Sequence, residues 1–339
     1  MSLYAGIDLH STSMLVGVMG EDFRRVREQK VPNDLGAALR CLEPYREDLA
    51  GIAVEATYNW YWLVDGLMEH GYPNVRLANP SAMKQYEGLK YTDDRHDAFW
   101  LAKMQVLGIL PEGYIYPKQD RPVRDLLRKR SFLVRQATAL KLNLRSMIER
   151  EKGVRMTCRQ IERLTAQEID TLLGERFVEI SAQCSRAVME QISHRIREIE
   201  KAIREELKLR KPFQVLLSIP GIGEILAMTI MLEVGQIGRF ATAGDFSSYC
   251  RLVPTGRITA GKSKGKGNRK NGNPYLAWAF SEASHHARRY SQGVNRYYQR
   301  KLRQRNVAVA HAAVANKLAR ACYYMMRDQV PFREEAMWS

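Results

Sequence analysis

The sequence predicts a mixed-sheet α/β domain followed by a predominantly α-helical remainder. Three observations carry that expectation. The first hundred residues alternate short apolar strands with helical patterns, and little from Arg121 to Leu209 reads as strand. Beyond Ser218, apolar helical patterns resume around a single long basic, glycine-rich stretch. Hairpin-linked strands followed by alternating β and α units make a mixed sheet with helices on both faces.

The strands come first. Leu3–Leu9 (L-Y-A-G-I-D-L), Met14–Met19 and the polar-faced Arg24–Val31 read as three strands. Asn33-Asp34 opens a helix with Leu35, Ala38, Leu39 and Leu42 on one face. Gly51–Glu55 is a short apolar strand ending in an acid. Trp60–His70 is an aromatic-rich helix stopped by Gly71, and Asn74–Ala78 is another strand. A helix headed by Pro80 follows, then the segment Lys90–Lys103, K-Y-T-D-D-R-H-D-A-F-W-L-A-K.

That segment gathers Asp93, Asp94 and Asp97 at a helix start. By itself it reads as an acidic first turn, capped by Thr92 or Asp93 and favoured by the helix dipole. Asp94 and Asp97 share one face, where like charges repel unless a cation intervenes. Asp8 and Glu55 end their strands, and strand ends at one sheet edge are neighbours however far apart in sequence. Asp8, Glu55, Asp94 and Asp97 are therefore expected to converge. Four carboxylates together raise one another's pKa, and a divalent cation with a preference for hard oxygen ligands removes that penalty.

The charge balance points the same way. The 339-residue chain carries 53 Lys and Arg against 37 Asp and Glu, a formal net charge of +16. A basic excess of this size implies nucleic acid or another anionic surface. Five scattered cysteines, odd in number and without a CxxC pair, argue against a zinc site or a disulfide framework and suit a reducing compartment. Asp8 and His10 interrupt the N-terminal apolar stretch, so no signal peptide is expected. No apolar run approaches the roughly 18 residues of a membrane span. A cytoplasmic, nucleoid-associated protein without a membrane partner is the expectation.

Arg121–Arg163 holds thirteen Lys and Arg against four Asp and Glu. A helix with Leu126, Leu127, Leu133, Leu140, Leu144 and Ile148 runs through it. The next long helix carries Ile192, Ile196, Ile199, Ile203 and Leu207, a seam about two heptads long. Antiparallel pairing within the chain and dimerisation through a coiled coil fit that seam equally. Ser218–Glu224, S-I-P-G-I-G-E, reads as a turn of helix–hairpin–helix type, whose following helix start can meet a phosphate.

Arg251–Asn273 holds seven basic residues, five glycines and no acid. It is expected to be a mobile loop whose Arg251, Arg257, Lys262, Lys264, Lys266, Arg269 and Lys270 meet nucleic-acid phosphates. Apolar patterns bracket it, so it is held at both ends and can deliver a residue into a site. Its hydroxyls are Thr255, Thr259 and Ser263. The helical remainder interleaves aromatic and basic residues: Tyr290, Arg296, Tyr297, Tyr298, Tyr323 and Tyr324. Most of these aromatics suit a core, and some suit stacking on bases.

These motifs together resemble a known family. G-I-D at Gly6–Asp8, V-E-A-T at Val54–Thr57 and T-D-D-R-H-D-A around Asp94–Asp97 are similar to the N-terminal domain of the DEDD transposases of the IS one-ten insertion-sequence family. S-I-P-G-I-G, C-R-L-V-P and G-N-R-K-N-G-N-P-Y-L-A-W-A-F resemble that family's C-terminal domain. The resemblance implies a RuvC-like (ribonuclease H-fold) catalytic domain at 1–118 and a basic helical, coiled-coil spacer at 119–210. It implies a small, mostly helical transposase domain at 211–339. It implies that Asp8, Glu55, Asp94 and Asp97 bind Mg2+, with Mn2+ as a substitute, while Asp93 is an extra acid.

The resemblance further implies a loop serine that attacks a DNA phosphate and becomes covalently linked to DNA. The two domains would meet across subunits in a homodimer or homotetramer. A bridge RNA would pair with donor and target DNA. Here the chain departs from the family: counting from Leu252-Val253-Pro254, the serine position holds Thr259, followed by Ala260. Thr259 is the first candidate nucleophile and Ser263 the second. A metal-dependent structure-specific nuclease, such as a Holliday-junction resolvase, and a non-catalytic nucleic-acid-binding protein are the rival readings.

Overall fold

The computed structural model describes residues 1–83, 94–253, 256–259, 262–266 and 271–338; for 94–96, 257–259, 262–266, 336 and 338 it describes the backbone only. Thr92, Asp93, Pro254, Thr255, Ala260, Arg269 and Lys270, named above, lie outside the described residues. The chain divides into two compact units. One comprises Met1–Lys118 with Thr255–Asn271, and the other Gln119–Pro254 with Gly272–Ser339.

The first unit is built on a six-stranded mixed sheet. Its strands are β1 (Leu3–Leu9), β2 (Ser13–Gly20), β3 (Arg25–Pro32), β4 (Leu49–Glu55), β5 (Val75–Ala78) and β6 (Glu112–Gly113), in the order β3-β2-β1-β4-β5-β6. β1, β2 and β3 form an antiparallel meander. β4 and β5 run parallel to β1, and β6 returns antiparallel to β5. The two residues of β6 are too few for a hydrophobic period, so sequence reading passed over that strand. β3 lies at an edge and is largely exposed, which accounts for its charged sequence R-V-R-E-Q-K-V-P.

Side-chain alternation along β1 divides the unit into two layers. Ala5, Ile7 and Leu9 are buried in the core shared with α1 (Leu35–Leu42) and α2 (Tyr61–Glu69). Tyr4, Gly6 and Asp8 take the other face, as the two-residue period of a strand requires. A helix from Asp94 to Val106, labelled α4 after the short α3 (Pro80–Met83), packs there on β1, β2 and β4. With both faces covered, β1, β2 and β4 are apolar almost throughout, which is why they are legible as strands.

In the second unit, α5 (Arg121–Lys152) and α8 (Arg176–Leu207) pack together as an antiparallel pair. Arg130 near one end of α5 meets Glu200 near the far end of α8 at 2.8 Å. Leu144, Met147 and Ile148 share a core with Ala182 and Met189 at the opposite end. The isoleucine seam thus serves pairing within the chain: Ile203 and Leu207 are buried with Leu127. Between them, α6 (Cys158–Arg163) and α7 (Ala166–Leu173) start at Thr157 and Thr165, each a capping box.

The remaining helices enclose the largest apolar core. They are α9 (Lys211–Leu217), α10 (Glu224–Val234), α11 (Ala243–Tyr249), α12 (Pro274–Tyr290), α13 (Gln292–Gln304), α14 (Val307–Asp328) and α15 (Glu334–Trp338). α10 is buried along its length from Leu226 to Val234. The P-G-I-G turn joins α9 to α10. Gly221 in that turn has φ +89, and a Cβ there would lie 2.2 Å from the backbone of Ala287 on α12, so only glycine fits. Among the described residues no helix is long and apolar enough to cross a membrane.

The basic glycine-rich stretch departs from expectation. Sequence reading left it without regular structure, yet β7 (Gly256–Thr259) and β8 (Lys262–Lys266) pair as an antiparallel hairpin. Backbone pairing does not need an apolar face, so low hydrophobicity did not preclude it. Thr259 pairs with Lys262 and Ile258 with Ser263, so the two hydroxyl candidates occupy adjacent register positions near the turn.

Candidate metal centre and basic loop

The carboxylate site begins with three small residues. Gly6 of β1 pairs with Gly17 of β2 on one side and Ala53 of β4 on the other. The row forms a shallow trough across the sheet, into which α4 settles. A Cβ on Gly6 would stand 1.9 Å from the carbonyl oxygen of Ala98, and one on Gly17 would press on Ala98 and Phe99. Backbone therefore rests on backbone, which fixes the height of α4. Gln105, buried one end further along α4, donates from Nε2 to the Ala5 carbonyl at 2.8 Å and fixes its rotation.

This packing decides where the acids lie. Asp8 is two residues beyond Gly6 on the same strand face and is 3% exposed. Ile7 pairs with Val54 in the parallel register, so Asp8 and Glu55 are the next neighbours along β1 and β4. Asp97 immediately precedes Ala98 on α4, and Asp94 begins that helix one turn earlier. Asp8 and Glu55 thus end neighbouring strands, Asp97 precedes the Ala98 that rests on Gly6, and the Asp94 backbone belongs to the same helix end. Among the described residues no group of three or more acidic, imidazole or thiol side chains is close enough to hold an ion; the Asp94 side chain lies outside them.

Asp8 Oδ2 is buried and accepts no hydrogen bond among the described residues. The His10 ring faces it at 3.1 Å without the alignment of a hydrogen bond, so the contact is an ion pair only when the imidazole is protonated. Asp97 Oδ1 is likewise buried. Desolvated carboxylate oxygens of this kind, all hard donors, suit a divalent cation. Sequence reading missed His10 as a neighbour of the site, although its place two residues after Asp8 was visible. Its carbonyl accepts from Asn33 Nδ2 at 2.9 Å and Asn59 Nδ2 at 3.2 Å, which ties the turn after β1 to the turn after β4. Thr57 donates to Asn59 Oδ1 at 2.7 Å.

Replacing Gly6 with Ala is expected to lift α4 from the sheet and misplace Asp97 relative to Asp8. Overpacking of this kind costs roughly 1–3 kcal/mol. Urea unfolding of the first unit, read beside DNA strand cleavage, checks it: both are expected to fall together.

The roots of the basic loop are built into the second unit. Arg251 has φ +58, and its guanidinium donates to the Gly272 carbonyl at 3.0 Å. Gly272 has φ +83, where a Cβ would meet the Tyr249 carbonyl at 2.5 Å. The Asn273 N–H donates to that same carbonyl at 2.6 Å. The two ends of the loop are therefore clasped together. Asn273 caps α12, accepting from the N–H groups of Tyr275 and Leu276, and its Nδ2 donates to Glu233 at 2.7 Å.

Glu233 is the hub of this clasp. It is 1% exposed, within the buried run Leu226–Val234 of α10. Arg128 donates to it twice, at 2.6 and 2.7 Å, and Arg124 once, at 3.2 Å. Burial by itself raises its pKa. The Arg128 hydrogen bonds and the charges of both arginines outweigh that, and the carboxyl is held below the usual range. Sequence reading did not single out Glu233, because nothing local distinguishes it.

Of the loop's expected phosphate contacts, Arg251 is committed to the clasp. Arg257, Lys262, Lys264 and Lys266 lie on the hairpin backbone.

Comparison with known proteins gives two family matches. Residues 5–151 match a transposase family model designated DEDD, IS110 type, and residues 213–299 match the transposase IS116/IS110/IS902 family. The chain is 25% identical over 287 residues to the transposase for insertion sequence element IS1111A of Coxiella burnetii, covering 81% of this chain and 76% of that protein. It is 30% identical over 148 residues to the transposase for insertion sequence element IS1328 of Yersinia enterocolitica, covering 42% and 43%. An insertion element IS116 protein of Streptomyces clavuligerus is 26% identical over 142 residues, covering 41% and 35%.

Proposed function

The chain belongs to the IS110 family of DEDD transposases, enzymes that act on DNA, and from that premise we propose how its own residues divide the work. Residues 1–118 form a RuvC-like catalytic domain in which Asp8, Glu55, Asp94 and Asp97 hold a divalent cation, Mg2+ or Mn2+. Residues 119–210 are a helical spacer, and the chain assembles as a dimer or tetramer. Residues 211–339 root the basic loop. The observation that carries the reading is the trough of Gly6, Gly17 and Ala53, which sets α4 against β1 beside the buried Asp8.

When bound, the cation supplies charge neutralisation at the phosphate oxygens and orientation of the phosphodiester. The protein's part is positional. Asp8 and Asp97 stand on rigid elements, and their desolvated oxygens hold negative charge where water cannot screen it. The clasp of Arg251, Gly272 and Asn273 holds the loop ends while the hairpin carries Thr259 and Ser263. One of these hydroxyls attacks phosphorus, giving up its proton, as the bond from phosphorus to a deoxyribose oxygen breaks. The product is a protein–DNA phosphodiester that conserves bond energy for rejoining to target DNA. The lysines and arginines of the loop neutralise the flanking phosphates. Guidance by a bridge RNA is part of this reading, supported by the family and by the net charge of +16.

The test is the covalent product. Protein incubated with element-end DNA and divalent ion, then denatured, is expected to carry attached DNA. Thr259→Ala is expected to remove the adduct and Ser263→Ala to leave it; the reverse assigns Ser263. Hydrolysed ends with no adduct would instead identify a nuclease. Sequencing of RNA that co-purifies with the protein from its host examines guidance, for which one structured RNA from the flanks of its gene is expected.

A further inference from the structure

The interleaved aromatic and basic residues of the C-terminal helices separate into two groups. Tyr298 and Tyr323 are core residues, 3% and 4% exposed, and Tyr323 donates to the Phe240 and Ala241 carbonyls. Tyr324, one residue on, is 44% exposed, and Tyr297 is half-buried. These last two line a groove of about 480 Å³ with Lys317, Arg320, Phe332 and Arg333. No acidic residue lines it among the described residues.

The groove is built. Its rim is the segment from Val330 to Met337, which folds back against the helices. The Phe332 N–H donates to Ser218 Oγ at 2.8 Å. The Glu334 carboxylate is turned away to the start of α13, where it accepts from Ser291 Oγ at 2.7 Å and the Gly293 N–H at 2.9 Å. Glu334 is thus engaged elsewhere, and Arg333 beside it lines the groove.

The cations are crowded. Around the Tyr297 ring stand Lys317 at 5.3 Å, Arg300 at 5.2 Å and Lys301 at 5.7 Å from its centroid. Burial, and then the neighbouring Arg300 charge, hold the Lys317 ammonium below its usual pKa. An anion placed here relieves that repulsion. An aromatic face beside such an anion site matches one chemistry: a flat base attached to phosphates.

We propose that this groove binds an unpaired nucleotide of a single-stranded nucleic acid. Tyr324 and Tyr297 take the base, and Lys317, Arg320 and Arg333 take the flanking phosphates. A duplex is a poor fit, because its bases are stacked on each other and offer no free face to the groove. The groove lies apart from the carboxylate residues in sequence and unit, so its failure would leave the metal-centre reading standing, and the converse holds.

Fluorescence anisotropy of the full chain with labelled oligouridine and oligothymidine octamers, a matched duplex, and heparin as a base-free polyanion tests this. Tyr324→Ala is expected to weaken octamer binding about tenfold while Tyr324→Phe stays within about twofold. Duplex and heparin binding are expected to be unaffected by either. The joint change of Lys317→Ala and Arg320→Ala is expected to flatten the octamers' salt dependence by about 1.4 in slope. Whichever octamer binds more tightly identifies RNA or DNA as the natural strand. Photocrosslinking of wild-type protein to a 5-bromouracil octamer needs no variant, and adducts are expected on the peptides carrying Tyr297 or Tyr324. Equal losses for octamer and heparin, an unchanged octamer affinity in Tyr324→Ala, or adducts confined to other peptides would overturn the proposal.

Discussion

Replacing Asp97 with Asn is expected to lower DNA strand cleavage by about 10²–10³-fold or more, the scale of losing one fixed charge from a preorganised site. The substitution keeps the shape of the side chain. α4 should therefore keep its seat on Gly6, and binding to DNA should change little, since that affinity comes from lysine and arginine contacts to phosphate. A second consequence separates this account from a merely structural aspartate. Without divalent ion, the proposed site leaves the like charges of Asp8, Glu55 and Asp97 uncompensated. Removing one relieves repulsion, so ion-free Asp97→Asn is expected to melt a few degrees above ion-free wild type. Cleavage assays and thermal melts in chelator read the two effects independently. Asp8→Asn is expected to behave alike, with one addition: His10 loses the charge it faces at 3.1 Å.

Replacing Glu233 with Ala is expected to destabilise the second unit by about 3–5 kcal/mol, because it leaves Arg124 and Arg128 as buried cations without their shared carboxylate. Asn273 loses its Nδ2 acceptor at the same time, so the foot of the basic loop loosens. Covalent adduct formation should fall even in protein that remains folded. The pH dependence follows from the sign of the shift. The folded carboxyl titrates below its ordinary value near 4.5. Its contribution is fully present above that value and is lost as pH falls through the depressed folded value. Denaturant unfolding of wild type and Glu233→Gln is therefore expected to differ most near neutrality and to converge only as pH falls through the depressed folded value.

The sheet unit was legible because its strands are buried on both faces and its acids stand at strand ends. Asp8 and Glu55 could be expected to meet from that alone. Their partner helix could not be seated from sequence, since the role of Gly6 depends on Ala98, which lies far along the chain. Glu233 was invisible for the same reason: its arginines are 105 and 109 residues away, and a lone acid near a helix end has many ordinary explanations. The Ile192–Ile203 seam left pairing within the chain and pairing between chains open, because both use one apolar stripe. Spacing also left the tyrosines of α13 and α14 undivided. Tyr323 and Tyr324 are adjacent, and only packing shows that one faces the core and the other the solvent. The hairpin in the basic loop escaped because its strands lack an apolar face to mark them.

The central claim is that Asp8, Glu55, Asp94 and Asp97, beside the seat of α4 on Gly6, bind a divalent cation. Manganese binding to the full chain, followed by electron paramagnetic resonance in the absence of DNA, tests it without reference to activity. Wild type is predicted to bind the ion at a site that Asp8→Asn and Asp97→Asn each weaken at least tenfold and that Asp65→Asn, on α2, leaves unchanged. Binding unaltered by all three substitutions, or absent from wild type, would contradict the account.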